Sequence, residues 1–186
     1  MEIELTTAIV LILNFFLSLW NGYTGGYTIG ILKKQGGSTL GKIGAYSIVG
    51  LAFAGMAYVM SIVVMYFAST QGYASPEVIS YVLGFNFIVF GFLGIGFGLI
   101  VTIRSIVIAA KNRDLMSMGF AVWNTIVGIM NIATYINGFE NAKNAMNISS
   151  DRNRQDAYKY IIIAVLIAFF FTYGVYKYGL SKAQTE

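Results

Sequence analysis

The chain has 186 residues, of which 57% are hydrophobic and 11% charged, and its mean hydropathy is +0.70; a water-soluble domain carries about 45–50% apolar and about 25% charged residues, so this composition excludes one and indicates a membrane protein. Cysteine and histidine are both absent, which excludes disulfides, thiol chemistry, c-type haem attachment and the usual zinc, copper and haem ligands. The net charge of +4 resides at the ends of apolar runs, where the positive-inside rule accounts for it and nucleic-acid binding is not implied.

Charged residues avoid the stretches 5–32, 43–76, 78–103 and 115–139, and a shorter one at 160–176. The first four exceed the roughly 20 apolar residues that cross a bilayer as a helix, and the fifth reaches the lower limit of about 17. Barrel strands would alternate in segments of about 10 residues, whereas these runs are apolar all round. The expected fold is therefore an all-α integral membrane protein, a compact bundle of five transmembrane helices. One transmembrane domain covers 1–186, with spans at 5–30, 43–69, 77–110, 115–138 and 157–179. A signal peptide would open with basic residues; this chain opens with Glu2 and Glu4 and ends its first run in Trp20 and Asn21, so the first helix is expected to be retained.

That first run closes on WNGYTGGYTIG, residues 20–30. Its glycines fit neither a phosphate-binding loop ending in Lys-Ser or Lys-Thr nor the GxGxxG dinucleotide spacing. They predict a helix that loosens or kinks at Gly22, Gly25 and Gly26 as it reaches the inner interface, with a re-entrant helix lining a cavity as the alternative. The second span supplies small residues, Gly44, Ala45, Gly50, Ala54 and Gly55, as packing partners. In the third, Ser75 and Pro76 suit a cap and first turn, and Glu77 to Lys111 contains no breaker but glycine, about 50 Å of helix at 1.5 Å per residue.

Within it Gly84, Gly91 and Gly98 recur every seven residues, and Gly94 with Gly98 forms a GxxxG. One side of the helix is thus a glycine groove for close helix packing, with the second span as its expected mate. Arg104 is the one charge at all deep in an apolar run. It is placed at the inner interface, where it can snorkel to headgroups. No carboxylate lies inside a span to pair with it, which argues against proton- or cation-driven transport.

Asparagines are the polar residues that reach membrane depth. Asn14 and Asn21 are seven apart in the first span, Asn124 and Asn131 seven apart in the fourth, and Asn86 lies near the outer end of the third. Such amides either bond neighbouring helices, at about 0.6 kcal/mol per contact, or line a pathway. The dipeptides Trp20-Asn21 and Trp123-Asn124 give the first and fourth spans a faint inverted likeness. After the fourth span, Asn147-Ile148-Ser149 is a glycosylation sequon, and SSDRNRQD at 149–156 is a polar linker able to cap the fifth helix.

Lys33, Lys34 and Lys42 in the first connection, Arg104, Lys111 and Arg113 in the third, and Lys177 and Lys182 in the tail place these on the cytoplasmic side, with the N-terminus outside. Lys143, Arg152, Arg154 and Lys159 of the fourth connection run against this order. Aromatic residues such as Trp20, Tyr23 and Tyr27 at one end and Tyr66, Tyr73 and Tyr81 at the other suit the two interfacial belts.

The spans offer Ser, Thr, Tyr and Asn without a neighbouring Lys, Asp or His, so no nucleophile, base or metal set is implied. The expected function is non-enzymatic and without cofactor: an accessory or scaffolding subunit of a larger membrane assembly, with the bilayer and other membrane subunits or further copies of itself as partners. An oligomeric channel or facilitator for a small polar solute is the alternative, and a polar cavity reaching Asn131 would favour it. The start lacks transit-peptide character, which points to the plasma membrane. Cysteines introduced at Gly72 and Ser150 should react with a membrane-impermeant maleimide on intact cells while those at Ser38 and Asn112 should not; the converse labelling would invert the bundle.

Overall fold

A chain this apolar has no water with which to pair its backbone groups, and only Pro76 interrupts the supply of N–H donors, so the backbone satisfies itself in long helices. The computed structural model, which describes residues 4–147 and 150–185, is 92% helix, with five helices and no strand among the described residues. In chain order these are α1 (Leu5–Gln35), α2 (Thr39–Thr70), α3 (Pro76–Asn112), α4 (Leu115–Ala145) and α5 (Asp151–Thr185). All five are long and apolar enough to cross a membrane, and each runs past the span expected for it. Of the sequon, Ile148 and Ser149 lie outside the described residues.

Side-chain caps mark where the helices start. Ser38 accepts from the Gly41 N–H at 3.1 Å, Ser75 from Val78 at 3.3 Å and Ser150 from Asn153 at 3.5 Å. Asp114 takes both the Ser117 N–H at 2.8 Å and its hydroxyl at 2.6 Å, bonds that hold its carboxyl below the usual carboxylate range. At its far end α1 closes on Gly36 in the left-handed region, φ 72°, whose N–H bonds back to Leu32, the conformation for which glycine is suited.

Neighbours in the chain run antiparallel, so the starts of α1, α3 and α5 gather with the ends of α2 and α4 at one end, here the amino end; the opposite end is the carboxyl end. α2 is the central helix, packed against α1, α3 and α5. Of its most apolar window 44% is buried, against 6% for α4. Met56, Ala57 and Met60 of α2 join Leu11, Phe90, Ala164 and Ala168 in one core cluster, and Met65 and Ala68 join Val82, Tyr81, Ala157 and Ile161 in a second nearer the amino end.

The glycines of WNGYTGGYTIG do not loosen α1, which continues as regular helix through them to Gln35. Gly22, Gly25, Gly26 and Gly30 are all buried. A Cβ on Gly26 would fall on the Tyr176 carbonyl of α5, one on Gly30 would lie 2.5 Å from Ala183, and one on Gly25 would lie 2.7 Å from Val49 of α2. Reciprocally, a Cβ on Gly179 would strike the Tyr23 carbonyl. The stretch is a two-sided packing surface that admits α5 on one flank and α2 on the other. Glycine permits this because no side chain holds the backbones apart.

On α3 the outcome differs from the expected groove. Gly84 and Gly91 do sit against another helix, but that helix is α4: their Cβ atoms would lie 2.5 Å from the Ala142 carbonyl and 2.9 Å from the Tyr135 ring. A Cβ on Gly94 or Gly98 would have nothing within 4 Å among the described residues, so the GxxxG of α3 does not pack against another of the described helices. The glycines of α2 facing α3 receive side chains rather than backbone, Arg104 over Gly44 and Phe97 over Gly50.

Gly26→Ala should therefore lower the melting temperature in detergent by the equivalent of about 1–3 kcal/mol, since a backbone carbonyl must move. Gly98→Ala should leave it unchanged or slightly raise it, glycine being the poorer helix former. Equal effects from the two changes would contradict this packing.

Candidate functional site

α1 packs on α2 and α4 packs on α3, but among the described residues α1 and α4 do not meet. The two helices stand as walls of a cleft floored by α2 and α3. It comprises a cavity of about 630 Å³ at the amino end and a deeper one of about 410 Å³, both lined by Tyr58 and Phe87. Glu4, Thr7, Ser80, Asn86 and Asn141 line the first, and Asn14, Asn131, Thr134 and Tyr135 the second, over an apolar floor that includes Leu51, Phe90 and Ile95.

α4 owes its position to a ladder of contacts with α3. Phe87 stacks on Tyr135 with ring centroids 5.6 Å apart and planes at 7°. The same Phe87 ring occupies the space beside Gly138, and the Tyr135 hydroxyl donates to the Ile88 carbonyl at 3.2 Å. Nearer the carboxyl end, the Thr102 hydroxyl donates to the Asn124 carbonyl at 3.2 Å. This ladder turns Asn131 and Thr134 toward α1.

Three of the four cleft amides, Asn86, Asn14 and Asn131, are in different states. Asn86 is 1% exposed; its Nδ2 donates to the Tyr58 carbonyl at 3.2 Å, while its Oδ1 is buried with no partner among the described residues. Asn14 donates from Nδ2 to the Val10 carbonyl at 3.0 Å, one turn back on its own helix. Asn131 is exposed, and its side chain bonds to no other described residue. A buried amide atom left unpaired costs about 1–3 kcal/mol, and in hydrocarbon water cannot relieve an exposed one.

Of the asparagines singled out in the sequence, the fold brings Asn14, Asn86 and Asn131 to the cleft and leaves Asn21 and Asn124 outside it. Asn21 lies seven residues, about 10 Å, further along α1 than Asn14 and lines neither cavity. Asn124 contributes its main-chain carbonyl to α3. Sequence reasoning missed Thr7, Tyr58 and Asn141. Thr7 was findable, since it precedes Asn14 by seven residues and shares its face; Tyr58 carried no such mark.

Arg104 lies across Gly44 with its aliphatic stem against α2, and its Nε is buried without a partner among the described residues. All three ion pairs among the described residues, Lys143–Glu140, Arg154–Asp151 and Lys159–Asp156, are at the amino end. No group of three or more acidic residues that could hold a metal occurs among the described residues. What the cleft can do chemically is hydrogen-bond and stack: four amides, hydroxyls and aromatic rings, with one carboxylate, Glu4, at the mouth. No protein-family model, curated protein or solved structure matches the chain.

Replacing Asn86 with Leu removes the bond to Tyr58 together with the unpaired Oδ1, so it should destabilise by only about 0.6 kcal/mol, at most about 1.7. Asn131→Leu should leave the melting of the isolated protein unchanged. A large loss from Asn131→Leu would mean that its amide is already engaged within the chain.

Proposed function

We propose that the protein is a non-enzymatic subunit of a membrane assembly and that the α1–α4 cleft holds a transmembrane segment of a partner subunit bearing a hydrogen-bonding side chain. The observation that carries this reading is the side-opening cleft with Asn131 exposed on its wall at mid-helix. Lipid tails can fill such a slot but cannot bond its amides, whereas a helix with an amide or hydroxyl at that depth does both. The lateral opening favours a helix over a permeating solute, because an aqueous path must be closed off from lipid all round. The orientation proposed with this reading has the N-terminus outside and the C-terminus in the cytoplasm, in the plasma membrane. It rests on the Lys and Arg of the carboxyl-end connections and tail, and Lys143, Arg152, Arg154 and Lys159 at the amino end run against it.

A second reading has a specific observation in its favour, since the deeper cavity does reach Asn131. In it, several copies close their clefts against one another to form a path for a small polar solute.

A photo-crosslinking residue at Thr134, tested in the native membrane, should give a discrete adduct with another membrane protein, and the same residue at Phe170, on the outer surface of α5, should not. Asn131→Leu should weaken that adduct without altering the yield of folded protein. No adduct from Thr134, together with solute flux through the purified protein in liposomes that Asn131→Leu abolishes, would replace this reading with the second.

A further inference from the structure

At the carboxyl end, where α1 hands over to α2, a pocket of about 170 Å³ is lined by Ile29, Leu32, Lys33, Lys42 and Tyr46. Ile29 is buried at 3% exposure and with Leu32 makes an apolar floor, while Lys33 and Lys42 are exposed beside it. The two lysines come from different helices and are brought together by the tight turn through Gly36. Neither forms an ion pair among the described residues, and no acidic residue occurs between Glu4 and Glu77 in the chain. At the amino end, by contrast, Lys143, Arg154 and Lys159 each have a carboxylate three residues away.

Two ammonium groups with no carboxylate partner among the described residues, and a tyrosine, over an apolar floor at the level where aromatic residues gather at a helix end, match one kind of molecule. It has a phosphate at the headgroup level and hydrocarbon directly beneath. We propose that this pocket is a binding site for the headgroup of an anionic phospholipid, with Lys33 and Lys42 on the phosphate and the first part of an acyl chain against Ile29 and Leu32. The lipid is distinguished from free phosphate by that floor, which a soluble anion does not use. The proposal is independent of the cleft, which shares no lining residue with this pocket and lies nearer the amino end.

The test is native mass spectrometry of the purified protein released from mixed phosphatidylcholine and phosphatidylglycerol micelles, paired with melting measurements. Phosphatidylglycerol should be retained in preference to phosphatidylcholine and should raise the melting temperature. Lys33→Gln with Lys42→Gln should weaken its retention about 30-fold, roughly fivefold for each lysine near an anionic surface. Lys33→Arg should restore most of the lost retention, and Lys111→Gln, outside the pocket, should leave it intact. Retention unaffected by the double change would overturn the site. So would a melting shift reproduced in full by millimolar inorganic phosphate, which would make it a soluble-anion site instead. Since both lysines are exposed and cap no helix, the double variant should fold, and its unchanged melting in phosphatidylcholine alone confirms that any loss is one of binding.

Discussion

The close approach of α1 to α5 and α2 is the contact on which the remaining arrangement depends. Hydrocarbon offers no hydrophobic drive to bring helices together, so van der Waals contact between backbones must supply it. The chain provides that contact by leaving side chains out where α1 meets its neighbours. Gly22, Gly26 and Gly30 lie toward α5, with Gly179 answering from the other side, and Gly25 lies toward α2. Once α1 and α5 are drawn onto α2, the methionines and alanines of α2 are enclosed, and both core clusters form around that helix. α3 then takes the remaining side of α2, partly through the Asn86 bond to Tyr58.

α4 is attached in another manner, and the cleft follows from the difference. It has no glycine seam to a second helix and rests on α3 by one ladder of ring stacking, small-residue contact and two hydroxyl-to-carbonyl bonds. Nothing draws it toward α1, so the space between them stays open and contains amides rather than core residues. The same arrangement leaves most of α4 exposed, so it has the largest free surface for another membrane segment. The two halves of the bundle thus differ in connectivity: α1, α2 and α5 pack on one another, whereas α4 packs closely on α3 alone.

Charge is distributed along the other axis. Three of the four basic residues at the amino end, Lys143, Arg154 and Lys159, are set three residues from acidic ones on the same helix, a spacing at which they are neighbours on the helix surface. Individually such exposed pairs contribute little stability. Their effect is on the field, since they cancel positive charge at one end of the molecule and leave it uncancelled at the other.

The five helices were legible in the residues alone, because a backbone in an apolar run has only itself to bond to and the length of each run is countable. The cap at Ser75 with Pro76 was legible for the same local reason. Residue spacing could also say that Asn14 or Asn131 shares a face with residues seven away, but not which helix that face would meet. Helical periodicity defines directions around one axis only, and the choice of neighbour depends on competition among all five. Hence the glycine pattern of α3, regular in sequence, is half in contact and half open, while the less regular WNGYTGGYTIG is the seam. The sequence by itself determined an all-helical chain with amides at membrane depth. Only the tertiary structure decided that Asn14, Asn86 and Asn131 share one cleft while Asn21 and Asn124 do not, because that depends on where α4 comes to rest, and α4 is positioned by contacts with α3 that no local spacing encodes.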